Sequence, residues 1–271
     1  MIGTKLFEEL VQSVALSHLV KGYDRISLLF LASPESGKTT IATSAECKHI
    51  LRVGVLSGRS VLKEMKDHKD VEFLLFNDMG AIRALTVPAQ NLLIVLLNQL
   101  VLGEKGIVAF AGKDADKIER PIGIIGCLPW EVFRDHRSKW QTLGFVSRML
   151  PVAYSYGGEL IAEIKDQVDL GKQHAAARPR SKLKPPRGKQ IEVRVPNVII
   201  RKIRNLSDER AKKLGEKGIR LLQSYHSLIR AHALLGKRRD VTQGDLLFLR
   251  GVDHFVSVTE CKELELLSGG F

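Results

Sequence analysis

The chain has 271 residues, a net charge of +12 and a pI near 9.7, with 44% hydrophobic and 27% charged residues. That length holds one large α/β core plus a small second domain, and the composition is that of a folded protein rather than a disordered one. No run approaches the roughly 20 apolar residues of a membrane span, and three isolated cysteines (Cys47, Cys127, Cys261) without a CxxC pattern argue against a disulfide scaffold or a zinc site.

The N-terminus carries early acids (Glu8, Glu9) and no signal-like apolar core; the isolated cysteines make a reducing cytoplasm, prokaryotic or of a viral host, the expected setting, with no membrane partner. The surplus of positive charge points to a polyanionic partner, DNA or RNA ahead of an acidic membrane surface. Residues 1–22 read as a helix, with Leu6, Leu10, Val14 and Leu19 at helical spacing. A buried strand over 25–31, a helix over 38–48, a strand over 51–56 and a helix over 60–66 follow. Residues 71–78 form another apolar strand, expected beside the strand at 25–31. A long helix begins near Pro88, a residue suited to the first helical turn, and runs to 102. Residues 106–113 and 118–128 read as a hairpin leading into a central strand, with 113–117 as its charged tip. A helix over 131–149 and a strand over 151–156 complete the alternation. Strands alternating with helices predict a parallel sheet covered on both faces.

The composition then changes. Residues 171–189 contain Lys172, Arg178, Arg180, Lys182, Lys184, Arg187 and Lys189, three prolines and no acids, which predicts a mobile basic linker. From Ser207, a good N-cap followed by Asp208 and Glu209, the reading is helical. Leu221, Leu222, Tyr225, Leu228, Ile229 and Ala233 make an apolar stripe. Thr242 caps a further helix, with Asp245 three residues on as a capping-box variant. The expected division is an N-terminal helix (1–22), an α/β core (23–170), a basic linker (171–195) and a helical C-terminal domain (196–271).

The densest chemical signal is Ala32-Ser33-Pro34-Glu35-Ser36-Gly37-Lys38-Thr39-Thr40, where an apolar strand runs through a short turn into a helix. It fits GxxxxGK[ST] with Ala32 in place of the first Gly. Such a turn aims backbone N–H groups at a triphosphate, with the cradle formed by Ser33, Pro34, Glu35, Ser36, Gly37, Lys38, Thr39 and Thr40. Lys38 neutralises β/γ oxygens and the Thr39 hydroxyl holds Mg²⁺. Asp78, ending its strand, is the second expected Mg²⁺ group; alternatively it only caps a turn. Hydrolytic enzymes of this kind place a Glu after the Asp, and here that residue is Met79. If Asn77 takes the metal role instead, Asp78 becomes the water-polarising acid. Either register is incomplete, so slow or partner-dependent turnover is expected, and nothing local recommends Glu104 or Glu119. Arg148, at a helix end, is placed to reach a neighbouring subunit's phosphate or to stand as a solvated charge. Cys127 reads as a packed core thiol. Trp130 and Trp140 flank a basic run and are expected to pack inward rather than stack on bases. Lys237-Arg238-Arg239 sits where it answers a helix dipole.

In this order, the phosphate loop, the acidic strand ending at Asp78, the hairpin and central strand over 107–128, and Ser147-Arg148 before the last strand, the chain resembles the AAA+ superfamily of ring-forming ATPases. The stretch from Gly218 to Ala233 and then Arg239 to Asp245 looks like the helical lid of minichromosome maintenance helicases and MoxR-type ATPases. The resemblance implies a P-loop NTPase α/β sheet with a small α-helical lid, ATP and Mg²⁺ as ligands, and assembly of copies into a ring or filament. It gives Arg148 the role of a finger into the next subunit and Arg220 that of a γ-phosphate sensor. Lys113 and Lys117 become DNA contacts of the hairpin; the basic linker lies outside the resemblance, and its charge makes Arg178, Arg180, Lys182, Lys184 and Arg187 expected phosphate contacts. The implied activity is ATP hydrolysis in a DNA-directed motor or loader. A slow ATP-gated adaptor that recruits a protein partner, or a MoxR-like remodelling chaperone, are the alternatives.

Overall fold

The computed structural model describes residues 4–54, 58–68, 70–103, 107–110, 113–117, 121–169, 181–183 and 190–264. Helix α1 (Lys5–Leu16) buries Phe7, Leu10, Val11 and Val14 and continues into a 3-10 turn, Ser17–Leu19. Strand β1 (Leu28–Ala32) is buried at all five positions and opens the turn to helix α2 (Lys38–Ala42). The helix ends well short of the expected residue 48. Three of its five positions and the capping Thr43 are β-branched, and the Thr43 hydroxyl donates back to the Thr39 carbonyl (2.8 Å), bonding that competes with helix continuation. The chain instead becomes extended as β2 (Ala45–Glu46), then β3 (Ile50–Val53), helix α3 (Gly58–Asp67) and β4 (Phe73–Phe76). A 3-10 turn, Met79–Ala84, leads to helix α4 (Val87–Leu102).

Strands β5 (Ile107–Phe110) and β6 (Lys113–Lys117) pair antiparallel outside the main sheet. The stretch expected as a charged tip is therefore a strand, with Lys117 opposite Ile107 and Lys113 opposite Phe110. The pairing reaches both ends of the stretch, with a register shift between Val108 and Phe110, and the joining residues 111–112 lie outside the described residues. Next come β7 (Gly123–Pro129), helix α5 (Trp130–Thr142), strand β8 (Leu150–Tyr156) and helix α6 (Gly158–Asp169). Of the basic linker, only its middle and end are described. Ser181–Lys182 forms β9, parallel to β2, so Lys182 belongs to a strand pair and not to a free linker. Residues 171–180 and 184–189, with Arg178, Arg180, Lys184 and Arg187, lie outside the described residues.

Helices α7 (Asn197–Leu214), α8 (Ile219–Leu235) and α9 (Gln243–Phe255) follow, and β10 (Lys262–Leu264) ends the described chain. Ser207 is not an N-cap: it lies inside α7, fully buried, with its hydroxyl 3.4 Å from the Gly218 carbonyl. The apolar Ile199 and Ile203 upstream find partners in the core and carry the helix back to Asn197. Thr242 does cap α9, with the Asp245 carboxylate returning to the Thr242 amide.

Six strands make one parallel sheet in the order β10-β8-β1-β7-β4-β3. The strand ending near Asp78 is thus not beside β1, as the P-loop pattern leads one to expect; β7 lies between them. Two glycines of β7 permit the insertion. A Cβ at Gly123 would meet the Phe73 ring at 2.3 Å, and one at Gly126 the Met79 sulfur at 2.5 Å. The C-terminal helices do not stand apart from the sheet. Phe7 of α1 touches Phe30 of β1, Tyr154 of β8 and Phe255 of α9, and residues from α1 through α9 share one apolar core. β10 then extends the sheet beside β8, within the part of the chain expected to be purely helical. No helix among the described residues is long and apolar enough to cross a membrane.

His226 of α8 links stability to pH. Its Nδ1 lies 3.1 Å from Arg230, whose guanidinium covers the Tyr23 ring. Burial first, and the charges of Arg230 and Arg204 next, push the imidazole from 6.5 down to about 4. The unfolded chain therefore takes up this proton first. Stability from the neutral ring is full above pH 6.5 and is lost as pH falls toward 4. Urea melts between pH 7 and pH 4 check this: His226→Gln is expected to flatten the slope by about one proton, and an unchanged slope contradicts it.

Candidate functional site

The three central strands end side by side. In register, Ala32 of β1 lies against Pro129 of β7, and Phe76 of β4 against Gly126. The turn after Ala32 thus stands next to the residues leaving β7, and β4 delivers Asn77 and Asp78 on the far side. Within the turn, Glu35 (φ +62°) and Gly37 (φ +71°) adopt left-handed backbone. Such alternation turns successive N–H groups toward one side and makes an anion-binding concavity. Gly37 holds that conformation without a Cβ penalty; Glu35 bears it as strain. Helix α2 has only five residues, so its dipole adds little and the loop amides and Lys38 carry the positive potential.

Lys38 bends back over its own loop. Its ammonium donates to the carbonyls of Ala32 (2.8 Å) and Ser33 and to the Ser36 hydroxyl (3.1 Å). Burial lowers its pKa from 10.5, opposed in order by Cys127, Glu131, Asp78 and Cys261 around it. Thr39 is exposed and its hydroxyl donates to the Asn77 carbonyl (3.2 Å), so the loop and the end of β4 touch. The Asn77 side-chain oxygen is buried and has no hydrogen-bond partner among the described residues. Asp78 is exposed, and one carboxylate oxygen accepts from the Gly80 amide (2.7 Å), which makes it the cap of the following turn.

Met79 is fully buried and packs over Gly126. A carboxylate at this position would be enclosed in apolar surroundings, so the acid expected after Asp78 has no place here. Cys127 is a core residue, 1% exposed, and burial pushes its thiol up to about 12. Trp140 is buried and Trp130 packs against the core, as the inward reading expected.

Two further residues of the site escaped the sequence. Tyr154 of β8 donates its hydroxyl to the Ser36 carbonyl (3.0 Å) and braces the loop from the neighbouring strand. Glu131 stands in the first turn of α5, two residues past the end of β7. Neither lies near the loop in sequence; only the strand register brings them there.

Arg148 and Arg220 assemble elsewhere. Leu150 of β8 pairs with Leu28, the first residue of β1, whereas the loop opens after Ala32, the last. About 13 Å of strand rise separates the two ends. Arg148 donates to the Gly144 carbonyl (2.5 Å), and Arg220, at the start of α8, donates to the Ser147 hydroxyl (2.9 Å). Both line a pocket of about 150 Å³ with Asp24, Val101, Leu102 and Gln223. The two arginines are thus brought together, at the opposite end of the sheet from Lys38 of the same chain. Arg238, expected to answer a helix dipole, instead grips Asp245 through two hydrogen bonds of 2.6 and 2.7 Å.

Among the described residues no three His, Cys, Asp or Glu side chains group as a metal cluster. No protein-family model matches the chain, and no curated protein matches it.

Proposed function

We propose that this chain is a P-loop ATPase of the AAA+ type, which assembles head-to-tail on nucleic acid and binds ATP at the border between copies. The observation that carries the reading is the loop after β1. Left-handed turns at Glu35 and Gly37, the adjacent Lys38 amine and the Tyr154 brace make a preformed cradle for phosphate oxygens. On binding, Lys38 exchanges the Ala32 and Ser33 carbonyls for phosphate oxygens, a stronger, charge-assisted partner. The site also fits Mg²⁺, because the exposed Thr39 hydroxyl faces the end of β4 and the orphaned Asn77 oxygen can accept from a water on the ion. Thr39 and Asp78 hold the metal in this reading, with Asn77 behind them. Bound Mg²⁺ supplies charge neutralisation and geometry to the phosphates.

The separation of the two ends of the sheet supports a contact between copies. Lys38 lies at one end and the pocket of Arg148 and Arg220 at the other, so a head-to-tail contact sets one copy's arginines against the next copy's cradle. Helix α4 runs through a 20-residue stretch without a charge, residues 84–103, yet exposes Leu92 (39%), Val95 (41%) and Leu102 (39%). Leu102 also lines the arginine pocket, which supports that face as part of the contact between copies. The net charge of +12 supports nucleic acid as the track.

Complementation tests the shared site. Lys38→Ala and Arg148→Ala chains are each expected to hydrolyse ATP at least about 100-fold more slowly than wild type in the presence of DNA, as expected for loss of a transition-state arginine. Mixing them is expected to restore a measurable part of the rate, because one supplies the cradle and the other the arginine. Full activity of Arg148→Ala alone rules out the shared site.

A second reading, an ATP-gated adaptor with slow turnover and a protein partner, is favoured by the core position of Met79, which leaves no acid directly after Asp78. Turnover that rises with added DNA separates the motor from the adaptor.

A further inference from the structure

The proposed ATPase lacks an acid in the position where its sequence pattern calls for one, and the fold supplies another. We infer that Glu131 is the carboxylate that orients the attacking water. The inference rests on the ATP reading and adds a residue to it.

Strand β7 lies between the loop strand β1 and the strand of Asp78, so the chain leaving it emerges in the gap between Lys38 and Asp78. Pro129 is paired with Ala32, the last residue before the loop, and the turn capped by Asp78 rests against the Pro129 ring: a Cβ on Gly80 would stand 3.2 Å from it. Glu131 follows two residues later, half-buried, at the opening of α5. The register alone places it there: Ala32, paired with Pro129, is followed by the loop that carries Lys38, and Glu131 stands two residues past Pro129. Asp78 has one oxygen engaged by the Gly80 amide and lies on the Thr39 side. Two carboxylates therefore stand just past the ends of two neighbouring strands, β4 and β7, beside the loop of Lys38. The one beside Thr39 suits the metal, and the one on the β7 side suits a water approaching the terminal phosphorus.

In the step so assigned, Glu131 accepts a hydrogen bond from the water and holds its oxygen in line. The water oxygen bonds to the γ-phosphorus while the bond to the β–γ bridging oxygen breaks and its electron pair leaves with ADP. The water proton passes to the carboxylate and on to the released phosphate.

An acid in the first turn of a helix also answers the helix dipole, so the test separates the two roles. Glu131→Gln, Glu131→Asp and Asp78→Asn are compared for affinity toward a non-hydrolysable ATP analogue, kcat with DNA, the Mg²⁺ concentration at half-maximal rate, and thermal midpoint. The expected result for Glu131→Gln is a fall in kcat of at least about 100-fold, with analogue affinity, Mg²⁺ requirement and midpoint as in wild type. Glu131→Asp is expected to recover part of the rate, and Asp78→Asn to raise the Mg²⁺ requirement. Wild-type kcat in Glu131→Gln overturns the assignment, as does a parallel loss of rate, affinity and midpoint. Failure of the wild type to bind the analogue overturns the ATP reading itself, and the two failures are distinguishable.

Discussion

Lys38→Ala is expected to weaken binding of ATP with Mg²⁺ at least about tenfold and to abolish measurable turnover, since charge-assisted hydrogen bonds contribute about 1.5–3 kcal/mol. The lysine is the only ammonium placed on the loop among the described residues, with partners at Ala32, Ser33 and Ser36 that it can exchange for phosphate. In the absence of nucleotide the variant should fold as wild type, because Lys38 is half-buried and its loop keeps the Tyr154 brace. Equilibrium titration with a fluorescent ATP analogue, alongside thermal melts, measures both. Unaltered affinity in Lys38→Ala means that the anion is bound elsewhere.

The second large effect concerns stability. Asp253 of α9 accepts hydrogen bonds from Nε and Nη2 of the Arg210 guanidinium of α7 (3.1 and 2.8 Å) and from the Tyr225 hydroxyl of α8. The Arg210 and Asp253 side chains are only 12% and 10% exposed, and Tyr225 is fully buried. One carboxylate thus ties the three C-terminal helices. Asp253→Ala leaves a nearly buried guanidinium without its carboxylate and a buried phenol without its carboxylate acceptor, so the expected cost is about 3–5 kcal/mol, or roughly 6–15 °C in thermal midpoint for a chain of this size. Replacing both ions by apolar residues, Asp253→Leu with Arg210→Met, is expected to cost less than Asp253→Ala alone, because no charge is stranded. Calorimetry of the three proteins decides it. A shift under about 1 kcal/mol for Asp253→Ala, the range of a solvated surface pair, means that the lock does not bear on folding.

The legible parts of the fold were those coded by neighbours in the chain. The apolar run ending at Ala32, the Gly37-Lys38-Thr39 turn and the Thr242–Asp245 cap each depend on residues within a few positions of one another, and each stands where the sequence put it. The order of strands depends on none of these. Where β7 inserts between β1 and β4, Gly123 and Gly126 accept Phe73 and Met79, contacts about 50 residues apart in sequence. The same separation hid Tyr154 and Glu131 from the reading of the loop. It also hid the meeting of Arg220 with Ser147 and Arg148, far from the phosphate that the lid resemblance implied for Arg220. Ser207 shows the converse failure. Its side chain favours a helix start, but burial of Ile199 and Ile203 outweighs a cap contribution of about 1 kcal/mol.

Isothermal titration of the wild-type chain with a non-hydrolysable ATP analogue in excess Mg²⁺ is the most direct measurement. The geometry at Lys38, Thr39 and Tyr154 predicts saturable binding of one nucleotide per chain, weakened when Mg²⁺ is chelated. The absence of binding at millimolar analogue would contradict the cradle and everything built on it.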